Sequence, residues 1–192
     1  MNDRLVNKRG NMIKIETERL IIREFVDSDI NNLYNLISDP IVMRYCSGPL
    51  DMKETYKWLE SIKKYYNEYG YDYWAAIDKM TGEFVGQLGI IKQEVDNEWM
   101  DCIAFMICKD KWGKGYATEG GKACITYGLQ TLKFKKIFAT VEPENKASKS
   151  VLEKLGMRYE RDGACFNTTI NLYSINESSR FARLGKRYSD SL

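Results

Sequence analysis

Apolar residues recur along the first third of the chain with two different periods. The apolar run at residues 20–25 predicts a first strand. Apolar positions at helical spacing over residues 30–37 and 52–66 then predict two helices. Asp51 and Glu54 stand three residues apart at the start of the second helix, as in a capping box. The N-terminal third is therefore predicted to form a strand followed by two helices.

The middle of the chain changes to strand-like runs. Residues 73–77, 84–91 and 99–108 are rich in aromatic and β-branched residues, with turn sequences between them. Because the connections are short, we expect three consecutive antiparallel strands. Residues 117–132 return to helical spacing, with small residues on the apolar stripe that would allow close packing on a sheet.

The C-terminal third alternates between the two patterns. Residues 136–141 predict a buried strand, and Asn145 can cap a short helix that Gly156 ends. Residues 165–175 offer one or two final strands.

Composition indicates one globular domain. The chain has 192 residues, of which 44% are hydrophobic and 29% charged. We assign the domain to residues 13–176, with a flexible polar arm at 1–12 and a polar tail at 177–192. A formal net charge of +2 gives no general surface for polyanions, so nucleic acid is not an expected partner. No run approaches the ~18 apolar residues of a membrane span, so no membrane partner is expected either.

Cysteine and histidine usage narrows the chemistry further. The cysteines are odd in number and widely spaced, which is typical of thiols in a reducing cytoplasm. They are Cys46, Cys102, Cys108, Cys124 and Cys165. The absence of histidine excludes Ser-His-Asp and Cys-His nucleophiles, histidine bases and mixed Cys/His zinc sites. No metal is expected, and proton transfer must use carboxylates, hydroxyls, amines or water.

A glycine-rich turn at residues 111–119 separates the third of the three predicted antiparallel strands, at 99–108, from the following helix. Gly113 and Gly115 would let backbone N–H groups approach an anion, and the helix directs the positive end of its dipole to the same place. An ordinary strand-to-helix turn is the alternative. The spacing does not match Gly-x-x-x-x-Gly-Lys-Ser/Thr, so a nucleoside triphosphate site is rejected.

Several separated segments, in this order, resemble the GNAT superfamily of acyl-CoA-dependent N-acetyltransferases, and within it the RimJ/RimL-like branch. The resemblance covers about residues 13–175 and is more specific than any one motif. The matching segments are Glu18-Arg19-Leu20-Ile21-Ile22-Arg23, Trp74-Ala75-Ala76-Ile77, Gly86-Gln87-Leu88-Gly89, Trp112 to Glu119, Asn145-Lys146-Ala147-Ser148 and Glu153-Lys154-Leu155-Gly156-Met157.

The resemblance implies an α/β fold with a mixed, bent, mostly antiparallel sheet of about seven strands flanked by helices. Acetyl-CoA would be the cosubstrate, held in a V-shaped split between the fourth and fifth strands, at 99–108 and 136–141. The pantetheine and acetyl end would be lined by backbone groups of Met106, Ile107 and Cys108. Asn145 would contact the pantetheine or act as a plain helix cap. The pyrophosphate would lie on the amides of Trp112, Gly113, Lys114, Gly115, Tyr116, Ala117 and Thr118.

The catalytic groups depart from the commonest family pattern. Leu152 stands where many members place a tyrosine that protonates the leaving thiolate. Ser148 matches the RimL-like alternative acid, although a small hydroxyl is also tolerated in a first helical turn. For the base, Asp101 neighbours the position where branch members often carry a glutamate, occupied here by Cys102. Adjacent strand residues face opposite sides, so a water relay is the preferred base.

The leading hypothesis is acetyl transfer to a primary amine by direct attack, with a protein N-terminal α-amine as acceptor. A small amine, such as an amino acid, polyamine or aminoglycoside, is the competing acceptor. A non-catalytic CoA-binding module is the alternative of a different class. Sequence leaves open whether the protein is a monomer or a homodimer.

Overall fold

The computed structural model describes residues 13–165 and 168–178. These residues form one eight-stranded sheet with the strand order β1-β2-β3-β4-β5-β6-β8-β7, together with four α-helices. The strands are β1 Ile13–Glu16, β2 Leu20–Arg23, β3 Tyr73–Asp78, β4 Phe84–Val95, β5 Glu98–Ile107, β6 Lys136–Val141, β7 Arg158–Cys165 and β8 Thr168–Asn176. The helices are α1 Ile30–Ile37, α2 Met52–Tyr69, α3 Tyr116–Gln130 and α4 Lys146–Lys154.

The sheet is mixed and mostly antiparallel, as the sequence predicts. Within the described residues β5 pairs with β6 in parallel, with Cys102 opposite Phe138. The sheet has one strand more than the expected seven, and two of its strands differ from the predicted segments. β1 adds an edge to β2, and β7 begins at Arg158 rather than near Cys165. Most residues of β7 are exposed, so this strand carries no apolar alternation by which a sequence pattern could find it.

The chain divides into two compact units. The first contains residues up to 91 together with 104–124, and the second contains 92–103 together with residues from 125 onward. β4, β5 and α3 contribute residues to both units. The predicted single domain spans residues of both and stays a prediction.

The first unit buries α1 and α2 on the inner face of its strands. Leu33, Leu36 and Ile37 of α1 and Leu59 and Ile62 of α2 are among its buried residues. The predicted capping box starts α2: Glu54 N–H donates to the Asp51 carboxylate at 2.7 Å, and Asp51 N–H donates to the Glu54 carboxylate at 2.8 Å. The helix ends at Gly70, whose φ of 79° places it in the left-handed region.

The second unit is built on β6, β7 and β8. β6 and β7 both pair with β8 in antiparallel register. α4 begins at its predicted cap, where the Asn145 side chain accepts a hydrogen bond from Ser148 N–H. Leu152 is the buried residue of this helix.

Two further predictions concern the ends of the chain. The predicted arm at 1–12 and residues 179–192 of the predicted tail lie outside the described residues. Among the described helices, none has the length and apolar character that crossing a bilayer requires.

Candidate functional site

The glycine-rich turn connects β5 to α3 within the first unit. β5 ends at Ile107, a short 3-10 turn covers Lys109–Lys111, and α3 begins at Tyr116. Gly113 and Gly115 have φ values of 73° and 84°. Both lie in the left-handed region, where a side chain is strained, so the turn needs glycine at these two positions.

More than half of the backbone amides of this turn form no hydrogen bond to the described residues. The first amide of α3 with a backbone acceptor is that of Glu119, which donates to Gly115 O at 3.0 Å. Within the described part of the chain, the amides of Gly113 and of residues 115–118 donate to no protein acceptor, and that of Lys114 closes the hydrogen-bonded turn at residues 112–113. Residues 112–115 are exposed. Five N–H donors without a protein acceptor at the start of a fifteen-residue helix are a favourable place for an anion.

Trp112 fastens the beginning of the turn to the strand before it. Its indole Nε1–H donates to Ile107 O at 2.7 Å. The Cys108 amide donates to Val85 O at 2.9 Å, and the Cys108 carbonyl accepts from Lys111 N–H at 2.9 Å. The Ile107 carbonyl and both backbone groups of Cys108 therefore already make hydrogen bonds within the protein, although each carbonyl keeps a second lone pair. The sequence shows tryptophan at 112 without revealing this contact.

Met106 lies close to β4 because Gly86 has no side chain. A Cβ on Gly86 would come within 2.2 Å of Met106 O. The Met106 thioether also accepts from the Gln87 side chain at 3.2 Å. The end of β5 is therefore held against β4 by both backbone and side-chain contacts.

A carboxylate in the first turn of α3 is bound by the segment just before β2. The Glu119 carboxylate accepts from Thr17 Oγ1 at 2.6 Å and from Arg19 N–H at 2.8 Å. It also forms an ion pair with Arg19, with 2.6 Å between Nε and Oε2. Burial opposes ionisation of Glu119, but these hydrogen bonds outweigh it and hold its pKa below its usual range.

The Arg19 guanidinium also contacts the turn itself. Its Nη1 donates to Lys114 O at 2.9 Å, and its Cζ lies 4.5 Å from the centre of the Tyr116 ring. The Tyr116 hydroxyl in turn donates to the Asp78 carboxylate at 2.6 Å. That hydrogen bond is the largest cause that lowers the pKa of Asp78 to about 2.

Sequence reasoning missed this connection between the start of β2 and the turn. Arg19 and Glu119 each belong to one of the motifs that carry the resemblance, and this is the only hint of their importance that the sequence offers. Spacing within each motif does not show that the two motifs meet. From the sequence alone, Glu119 in the first turn of the predicted helix would be expected only to complement the helix dipole.

The second unit holds the remaining predicted residues. Asn145 and Ser148 are half-buried, and the Asn145 side chain accepts from Ser148 N–H at 3.1 Å. The structure thus shows the capping role of Asn145. The Ser148 hydroxyl has no hydrogen-bond partner among the described residues.

Asp101 forms an ion pair with a lysine of the same unit. Its Oδ1 lies 2.8 Å from Lys92 Nζ. A carboxylate already bound to an ammonium attracts a second cation less strongly than an isolated one. The neighbouring Cys102 is buried, and burial raises the pKa of its thiol well above the ordinary range.

Cys108 borders a cleft of about 330 Å³ in the first unit, with α1 on the opposite wall. Burial raises the pKa of its thiol to about 11. A thiol that stays protonated at neutral pH is a poor nucleophile. Neither Cys102 nor Cys108 therefore has the properties of an acyl-carrying cysteine. Within residues 13–165 and 168–178, no three or more cysteine, aspartate or glutamate side chains gather as metal ligands would.

Comparison with known proteins decides the family. A model described as an acetyltransferase (GNAT) domain matches residues 19–158. The chain belongs to the GNAT acetyltransferase family. It is 39% identical over 161 residues to the uncharacterized protein YkkB of Bacillus subtilis, which covers 83% of this chain and 94% of that protein. It is 30% identical over 151 residues to an uncharacterized N-acetyltransferase, p20, of Bacillus licheniformis, covering 78% and 84%.

Solved GNAT structures share the fold. An acetyltransferase of Bacillus anthracis superposes with a TM-score of 0.72 at 28% identity, covering 85% of this chain and 98% of that chain. Two more distant structures contain coenzyme A. Spermidine N-acetyltransferase from Vibrio cholerae, with CoA and spermine, gives 0.69 at 17% identity, covering 86% and 99%. RimL, a ribosomal L7/L12 alpha-N-protein acetyltransferase, gives 0.71 at 16%, covering 87% and 99%.

Proposed function

We propose that this GNAT N-acetyltransferase transfers the acetyl group of acetyl-CoA to a protein N-terminal α-amine. The observation that carries the cosubstrate assignment is a set of five amides at the N-terminus of α3, those of residues 113 and 115–118, that have no acceptor among the described residues. A pyrophosphate offers several acceptor oxygens that can receive such converging donors. Structural neighbours crystallised with CoA support the same assignment.

The turn residues fit this ligand in both shape and charge. Gly113 and Gly115 have no side chain, so they leave the backbone accessible, and each has a positive φ that glycine adopts without strain. Trp112 contributes through its position rather than its charge, since its indole is bonded to Ile107 O. Lys114 is exposed and adds a mobile cation near the turn. The strand-end residues 106–108 remain the proposed boundary of the pantetheine arm.

The assignment of the acceptor rests on resemblance. The segment Glu18 to Arg23 is similar to the opening of the RimJ/RimL-like branch, and RimL is among the structural neighbours. A polyamine is the second candidate, supported by the spermidine N-acetyltransferase neighbour. Both acceptors are primary amines that are mostly protonated at neutral pH, so either must lose a proton before it attacks.

For proton transfer we propose a water relay as the base and Ser148 as the acid. Direct attack of the amine on the thioester needs no enzyme nucleophile, which agrees with the raised thiol pKa values of Cys102 and Cys108. The half-buried Ser148 hydroxyl can donate to the leaving thiolate directly or through water. Asp101 is the alternative base, with its charge already balanced by Lys92. The thiols and the absence of any disulfide among the five cysteines are in keeping with action in the cytoplasm.

An acceptor panel tests this function. Purified protein would be incubated with acetyl-CoA and one of three amines. These are a peptide with a free N-terminus, the same peptide with a blocked N-terminus and one internal lysine, and spermidine. Thiol release gives the rate and product mass gives the modified atom. We expect turnover with the free N-terminus only.

Each other outcome has a definite meaning. Preferred turnover of spermidine would replace the protein acceptor with a polyamine and leave acetyl transfer standing. Tight acetyl-CoA binding without turnover on any amine would favour a CoA-binding module. Absence of acetyl-CoA binding would refute the cosubstrate assignment.

A further inference from the structure

We propose that Arg19 is a positioning residue for the anion-binding turn: it fixes the direction of the Gly115 amide and neutralises Glu119 beneath the bound phosphates. This inference rests on the proposed binding of acetyl-CoA. It concerns a residue that lies about 95 positions from the turn in sequence and contacts it through three different groups. Each contact has a separate consequence for the turn.

The first consequence follows from the geometry of one peptide group. Arg19 Nη1 donates to Lys114 O at 2.9 Å. The peptide between Lys114 and Gly115 is trans, so its carbonyl and its N–H point in opposite directions. Holding the carbonyl towards Arg19 therefore directs the Gly115 N–H to the other side of the turn. Because Gly115 has no side chain to restrict its rotation, this peptide would otherwise be the least constrained in the turn.

The second consequence is electrostatic. Glu119 lies in the first turn of α3, where the helix dipole favours a negative charge. An anionic ligand at the same helix end would be repelled by that carboxylate. The ion pair with Arg19 balances the charge, with 2.6 Å between the closest atoms. The Glu119 side chain is about four-fifths buried, so its uncompensated charge would be only weakly screened by solvent.

The third consequence is a close fit between Arg19 and the turn. A Cβ on Gly115 would lie 3.4 Å from Arg19 Nη2. The guanidinium also covers the Tyr116 ring, and Tyr116 is tied to Asp78. Arg19 thus contacts the residues immediately before and after the point where α3 begins.

The test compares a ligand that has phosphates with one that lacks them. Acetyl-CoA and S-acetylpantetheine carry the same thioester, but only acetyl-CoA has a pyrophosphate. We would measure KM and kcat for both with Arg19→Gln, Arg19→Lys and Glu119→Gln, and with the double variant of Arg19→Gln and Glu119→Gln. Lys79→Gln is the matched control. The Lys79 ammonium also binds the 16–17 segment, through Glu16 at 2.9 Å and Thr17 O at 2.6 Å, and these contacts do not involve the turn.

We expect Arg19→Gln to raise the KM for acetyl-CoA at least about 20-fold, because one charge-assisted hydrogen bond is lost and the partly buried charge of Glu119 is left uncompensated. kcat at saturation and kcat/KM for S-acetylpantetheine should change less than about twofold. The KM of Arg19→Lys should lie between those of the natural protein and Arg19→Gln, because lysine keeps the positive charge but lacks the planar, paired donors of the guanidinium. Adding Glu119→Gln to Arg19→Gln should lower KM again, since glutamine keeps an acceptor for Thr17 and removes the repulsion.

Three results would overturn the inference. The first is an unchanged KM for acetyl-CoA in Arg19→Gln. The second is an equal loss with S-acetylpantetheine, which would indicate a general structural role. The third is a double variant that binds more weakly than Arg19→Gln alone. If Arg19→Gln does not fold, Arg19→Lys and Glu119→Gln carry the same comparison. Acetyl-CoA binding by the unaltered protein is measured first, and its absence would refute the proposed function together with this inference.

Discussion

Replacing Gly115 by alanine separates backbone strain from loss of the anion site. Gly115 has a φ of 84°, a conformation that costs a residue with a Cβ about 1–2 kcal/mol. The added methyl group meets only the mobile end of Arg19, at 3.4 Å, so steric overlap adds little. For a chain of this length, a loss of about 1 kcal/mol lowers Tm by roughly 2–4 °C.

The same methyl group should have a much larger effect on binding. To relieve the strain, the peptides on either side of residue 115 must rotate, and the amides of residues 115 and 116 then turn away from the proposed phosphate position. Each hydrogen bond to a charged group contributes about 1.5–3 kcal/mol. Loss of one such bond raises Kd about tenfold or more, and loss of both raises it beyond a hundredfold.

Gly70 is the matched control for this prediction. Its φ is 79°, and no atom lies within 4 Å of its built Cβ, so Gly70→Ala carries the same strain at the end of α2. Both variants should lose a similar amount of Tm in thermal unfolding. In calorimetric titration with acetyl-CoA, only Gly115→Ala should show the higher Kd. Equal affinities of the two variants, at equal loss of Tm, would refute the assignment of the turn to the phosphates.

Three shorter predictions concern proton transfer and pH. Ser148→Ala should lower kcat several-fold and leave the KM for acetyl-CoA unchanged; an unchanged kcat would remove Ser148 from the mechanism. The reactive, unprotonated fraction of an amine grows with pH, so kcat/KM should rise towards alkaline pH. With a water relay as base, Asp101→Asn should keep this rise, and its loss in the variant would assign the base to Asp101. Burial raises the pKa of Asp72 to about 7, so its charge costs stability as pH rises from about 4 to 7. In urea unfolding, Asp72→Asn should therefore have the same free energy of unfolding as the natural protein near pH 4, and a higher one above pH 7, by up to about 4 kcal/mol. A difference that does not change with pH would contradict this reasoning.

The elements that the sequence predicts correctly are those with a buried face or a cap. The capping box at Asp51 and the left-handed Gly70 mark both ends of α2, and each follows from local chemistry. The meander of β3, β4 and β5 follows from apolar runs with short turns. The sequence predicts one or two final strands within residues 165–175, and β7 at Arg158–Cys165 was missed. Its residues are mostly exposed, so no hydrophobic pattern indicates the strand or its pairing with β8.

In the candidate site, too, the sequence predicts the features that depend on local chemistry and misses the contacts between separate elements. The glycine positions in the turn are predictable, because only a left-handed backbone without a side chain serves there. The partner of Asn145 is also local, three residues away. The ion pairs of Asp101 with Lys92 and of Glu119 with Arg19 are not predictable. The first depends on how the consecutive strands β4 and β5 align, and the second on the packing of α3 against the segment before β2.

The position of Glu119 shows why a local interpretation of a charged residue can be right and incomplete. A carboxylate at the start of a helix is stabilised by the dipole, and an anionic ligand is stabilised by the same dipole, so the two compete. Thr17 and Arg19, about a hundred residues earlier in the chain, bind that carboxylate and remove the competition. The short segment before β2 is therefore part of the anion site, although in sequence it is only the polar flank of the first predicted strand. Changes at Thr17 or Arg19 should consequently appear as changes in the affinity for acetyl-CoA, and not as changes in the chemistry of the amine.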